Sequence, residues 1–167
     1  MMLSGDTVAE RVASILLVQQ RSLVAADSVH AGGTWAEYVV VSDRIYTDTS
    51  RTLRDTKADI VRALQRGDGE DGLLPPSSER ISLRASIEEI DSQLEVIVGM
   101  KAALRQLRTK VEPQDAFPGI SEFQPLLVDA LTTVRDLGAI SPEVFARTYN
   151  SVTASTSQLS GASPPPQ

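Results

Sequence analysis

Residues 78–111 read SERISLRASIEEIDSQLEVIVGMKAALRQLRTKV, with apolar side chains at Leu83, Ile87, Ile90, Leu94, Ile97, Met100, Leu104, Leu107 and Val111. Steps of three and four along one line mark a helix with a single buried stripe, and sustained this far they approach a heptad seam. Ser78 suits the N-cap, and Pro113 stops the helix just past Val111. Two consecutive steps of three, Leu94 to Ile97 to Met100, overwind such a seam locally, and Gly99 lies in the same turn. A mid-helix glycine is about 1 kcal/mol worse than alanine, so a bend or the close approach of another backbone is expected there.

Upstream, Thr34 to about Arg66 carries Trp35, Tyr38, Val41, Ile45, Thr49, Thr52, Thr56, Ile60 and Leu64 on one side. The other side alternates Arg44, Asp48, Arg51, Asp55 and Arg62, spacing that supports a solvated helix. Val39-Val40-Val41 would also suit a strand, but nothing of like character is present to pair with it. Gly67, Gly69, Gly72, Pro75 and Pro76 break the helix into an acidic loop. The two long helices are expected to form an antiparallel coiled-coil-like hairpin over 34–111. Some thirty residues at about 1.5 Å each reach about 45 Å, which predicts an elongated molecule.

Thr7 with Glu10 forms a capping box that would start the first helix, and Gly32-Gly33 ends it. Its stripe is Val8, Val12, Ile15, Leu16, Leu23 and Ala26, and Arg21 is the one charge between Val12 and Ala26, so burial on most sides is expected. After a loop in which Phe117 tucks inward, Ser121 with Gln124 resembles a second capping box. Phe123, Leu127, Ala130, Val134 and Leu137 supply a stripe that Gly138 closes. Ser141-Pro142-Glu143 is a strong start for a short fifth helix holding Phe145, Tyr149 and Val152. The fold class is therefore all-α, an elongated bundle of about five helices. A single domain is expected over 1–154, made of the hairpin 34–111 and a smaller C-terminal helical pair 121–154, followed by a disordered Ser/Pro-rich tail over 155–167.

The composition fits one globular domain: 167 residues, 41% hydrophobic but only 4% aromatic. A net charge of -6 opposes the phosphate attraction behind nucleic-acid affinity, so no nucleic-acid partner is expected. Apolar runs stay as short as Ile15 to Val18, so no membrane span is expected, and the acidic start suggests a cytoplasmic protein. The chain has no cysteine, which removes thiolate metal sites and cysteine nucleophiles.

Chemistry-bearing patterns are sparse. His30 is the single histidine, and at the end of the first helix its cationic form would favour the dipole. Asp27 stands three residues before it, whereas a di-iron bundle needs two Glu-x-x-His pairs. Asp68 and Glu79 have the separation of the first and last ligands of a calcium loop. Leu73 occupies the position that needs glycine, and Pro75-Pro76 stiffen the rest. No phosphate-binding glycine motif follows a predicted strand. No cofactor or metal and no catalytic residue is expected.

Trp35, in Gly32-Gly33-Thr34-Trp35, lies between two helices, where small helical-hairpin proteins of the WxG type also carry a tryptophan. The order departs from that pattern, since glycine precedes the tryptophan and Glu37 stands at the motif's glycine position; no function is carried over. An indole sealing the bundle end accounts for Trp35. Thr49, Thr52 and Thr56 are three β-branched hydroxyls in one seam, satisfied either by back-bonding to the preceding turn or by facing a partner chain. Back-bonding is the favoured reading.

These observations suggest a non-catalytic structural or scaffolding subunit of a larger assembly, contacting other protein subunits, as a homo- or hetero-oligomer, by helix–helix packing. Candidate interaction residues are Trp35, Thr49, Thr52, Thr56, Ile97, Gly99, Met100 and Leu104. The alternative is a helical bundle that binds a lipid or small apolar ligand, motivated by the scarcity of charge on the first helix.

Overall fold

The computed structural model describes residues 4–30, 32–69 and 77–159, and over these the protein is an all-α helical bundle. Its helices are α1 (Gly5–His30), α2 (Trp35–Gly69), α3 (Ser77–Lys110), α4 (Ile120–Asp136) and α5 (Pro142–Leu159). The Val39-Val40-Val41 run is helical. The described residues divide into two compact units, one of Met1–Ala25 with Arg44–Leu94, the other of Ala26–Asp43 with Glu95–Gln167.

In the first unit, Val8 and Val12 of α1, Tyr46, Leu53, Thr56 and Ile60 of α2, and Leu83 and Ile90 of α3 are buried. The start of α1 lies one turn before the expected Thr7-Glu10 box. Ser4 is the cap: its hydroxyl accepts from the Thr7 N–H at 3.1 Å, its carbonyl from the Val8 N–H, and the Gly5 N–H donates to the Glu79 carboxylate. A donor at the first turn is thus met by an acid from α3, which is where Glu79 finds its role. Ion pairs join the helices at the solvent edge, Arg11–Asp59 at 3.1 Å and Lys57–Asp91 at 2.7 Å.

The second unit is built around four aromatic rings. Tyr38 stacks on Phe117 at 3.7 Å between centroids, Trp35 meets Phe117 edge-on at 5.1 Å, and Phe123 meets Tyr38 edge-on at 5.1 Å. Backbone bonds hold the loop that carries Phe117 in place. Phe117 N–H donates to Gly33 O and Gly32 N–H to Phe117 O, an isolated antiparallel bridge at Thr34 and Ala116. Trp35 and Ala36 N–H donate to Asp115 O and Pro113 O, so the α3–α4 loop satisfies two donors at the start of α2 that a helix leaves open. Thr34 caps the same end through Glu37 N–H at 3.2 Å.

Glycines and caps set the remaining boundaries. Gly32 (φ 85) ends α1 and Gly138 (φ 77) ends α4, both in the left-handed region that side chains disfavour. Ala139 N–H reaches back to Val134 O, and Gly138 N–H to Arg135 O, closing a Schellman turn. Ser141 caps α5, accepting from Val144 N–H at 3.1 Å. The expected Ser121-Gln124 box does not form, because α4 begins at Ile120 after Gly119 with no side-chain cap. Helix α5 is not short. It runs 18 residues to Leu159, past the Ser155 boundary expected for the tail, and residues 160–167 and the loop residues 70–76 lie outside the described residues.

Candidate docking surface

The structure places seven of the eight sequence-predicted interaction residues in the interior: Trp35, Thr49, Thr56, Ile97, Gly99, Met100 and Leu104 are buried, while Thr52 is exposed. Within the folded chain these seven residues are covered by the chain's own helices and loops. A seam reads the same in sequence whether its own fold or a partner covers it, and here the chain covers its own.

The threonines back-bond. Thr49, Thr52 and Thr56 hydroxyls donate to Ile45 O at 2.9 Å, Asp48 O at 3.0 Å and Thr52 O at 2.9 Å. The buried row of α2 runs through Ser42, Tyr46, Thr49, Leu53, Thr56 and Ile60, so Val41 and Ile45 sit half-buried beside it and Thr52 outside it. At Gly99 the close approach is made by a side chain, that of Thr148, and not by the backbone that was expected there. A Cβ there would lie 2.9 Å from Cβ and 3.0 Å from Cγ2 of Thr148 and on top of its hydroxyl, so glycine lets α5 seat against α3. Thr148 is itself fully buried, its hydroxyl donating to Val144 O at 2.7 Å.

Accessible apolar side chains lie on α1, and also at Val40, Ile81, Val98, Leu126 and Leu137 on the other helices and their ends. Helix α1 is buried on one face, through Val8 and Val12, and not on most sides as expected. Leu17, Val18 and Val24 are 44%, 60% and 45% exposed, and Ala13, Ser14, Arg21 and Ala25 are exposed beside them. All belong to the first unit. The signal for this face was in the sequence, as aliphatic residues lying off the predicted stripe at Leu17, Val18 and Val24. Its scarcity of charge argued equally for burial.

Two acids have displaced pKa values. Burial raises the Asp27 carboxyl above its ordinary value, an effect that a hydrogen bond from Tyr38 partly opposes, and its Oδ1 has no partner. Asp59 is held below its ordinary value by hydrogen bonds from Arg62 and Arg11. Among the described residues no group of three or more His, Asp or Glu side chains is placed to hold a metal ion, and His30 Nδ1 lies 3.9 Å from Glu37 Oε2. An apolar dent of about 70 Å³ beside Trp35, Val39, Val40 and Val111, with Arg108 at its rim, is too small for an acyl chain. No described helix is long and apolar enough to cross a membrane.

Compared with protein-family models, curated proteins and solved structures, the chain has no significant match.

Proposed function

We propose that the protein is a non-catalytic subunit of a larger protein assembly, docking other chains by helix–helix contact through the outer face of α1. The observation that carries this is the exposure of Leu17 and Val18 and, two turns on, of Val24, on a helix with one charge, Arg21, between them. Scattered single apolar residues are normal on a surface, whereas aliphatics aligned along one helix face suit a second helix. A cytoplasmic setting belongs to the same proposal.

Capture of the tagged chain from its native cells at modest salt, with the complex weighed by light scattering, tests it. The wild-type chain is expected to hold stoichiometric protein companions, and Leu17→Asp, folded by circular dichroism, to lose them. A lone monomer, or equal capture by the variant, would overturn the reading.

A further inference from the structure

We infer that the occupant of the α1 face is a second copy of this chain, its α1 lying antiparallel to the first across a two-fold axis. The inference rests on the reading of that face as a docking surface and names the partner.

Its basis is the order of exposed residues along the helix. An antiparallel pair with its axis between Ile15 and Leu16 sets each residue opposite the one whose number completes a sum of about 31, by the symmetry of an isologous contact. Glu10 then faces Arg21 of the other copy, Ser14 faces Leu17, and Ala13 faces Val18, each twice. Thr7 likewise faces Val24. All of these residues are exposed, and at about 100° per residue they share an arc of about 140°. Every large aliphatic of the face therefore stands level with a small residue of the other copy, which leaves room for the two helix surfaces to approach. The basic residue meets an acid rather than its own twin.

Other arrangements lose this match. Parallel pairing about a two-fold axis sets Arg21 on Arg21 and Glu10 on Glu10. Sliding the antiparallel pair by one turn in one direction leaves Arg21 opposite Ser14 and sets Val24 against Arg11, which is already paired with Asp59; sliding it in the other keeps an acid, Asp6, opposite Arg21 but sets Leu17 against Glu10. Among the described residues neither Glu10 nor Arg21 has an ion pair within the chain, so both charges are free to complete one across the axis.

Sedimentation equilibrium of the full chain over micromolar concentrations, with charge-reversal variants, tests this. Wild type is expected to form a dimer. Arg21→Glu or Glu10→Arg alone places like charges in both symmetric pairs and should raise Kd by about tenfold or more, and the double variant should return it to within about threefold of wild type. These exposed positions leave the folded chain intact, which circular dichroism checks. A monomer at every concentration overturns the inference, as does a dimer indifferent to the reversals or unrescued by the double variant. A wild-type monomer that floats with phosphatidylcholine/phosphatidylserine vesicles assigns the face to lipid and overturns it too. If the chain is monomeric yet loses other captured subunits with Leu17→Asp, the second-copy inference fails and the assembly reading stands.

Discussion

Glycine at position 99 leaves room on α3 for the Thr148 side chain of α5. Its place beside two consecutive steps of three signalled a bend or the close approach of another backbone, and it is the Thr148 side chain that makes the approach. Gly99→Ala gains helix propensity of about 1 kcal/mol but drives a methyl into the Thr148 side chain, and overpacking of this kind costs about 1–3 kcal/mol or more. We expect net destabilisation in urea unfolding, relieved in part by adding Thr148→Ala. Strict additivity of the two substitutions would contradict the contact. Asp27 was legible as a residue but not as a buried one, since only the fold sets it beside Tyr38. Folded Asp27 keeps its proton to a higher pH than the unfolded chain does. The stability tied to it is therefore full below the ordinary aspartate value of 3.8 and lost as pH rises through the raised value. Asp27→Asn should match wild type near pH 3 and exceed it at pH 7 in paired denaturation curves. A difference independent of pH would contradict this. Asp59, held low by Arg11 and Arg62, works in the opposite direction, adding stability above its ordinary value that fades as pH falls.

Several helix boundaries were legible because the chain carries its own punctuation there. Gly32, Gly138 and the Ser141-Pro142 start lie where the chain uses them. The seam of α3 buries Leu83, Ile90, Ile97, Met100, Leu104 and Leu107, leaves Ile87, Leu94 and Val111 half-buried, and is joined in the interior by Ser86, Val96 and Ala103. The phase of α2 was harder to read, since Val41, Ile45 and Thr52 offered a row one step from the buried one through Ser42, Tyr46, Thr49 and Leu53. Polar Ser42 inside and aliphatic Val40 outside blur any stripe drawn on hydrophobicity alone. The two phases make different predictions at adjacent residues. Leu53→Ala, at a fully buried site, should cost about 2–5 kcal/mol, whereas Thr52→Ala should stay within about 0.5 kcal/mol of wild type. Urea midpoints for the pair would show it, and equal costs would mean that the phase is wrong. The start of α1 was misplaced by one turn because Thr7-Glu10 matches a capping pattern as well as Ser4 does. The acid that completes the real cap comes from Glu79, 74 residues away.

For the whole molecule, the reading of function turns on which apolar residues the chain covers itself. Burial is collective, so the seam residues and the α1 aliphatics look alike in sequence and part company only once folded. Seven of the eight candidate interaction positions went to the interior, and Leu17, Val18 and Val24 remained outside. Arg21 is the one charge among those aliphatics, which makes it an orienting charge within that face. The most direct measurement places a photo-crosslinking amino acid at Leu17 or, as a control, at exposed Thr52, in the native cells. Crosslinking from Leu17 in high yield to protein, with none from Thr52, is the expected result. No adduct at Leu17, or equal adducts at both positions, would contradict a docking role for α1.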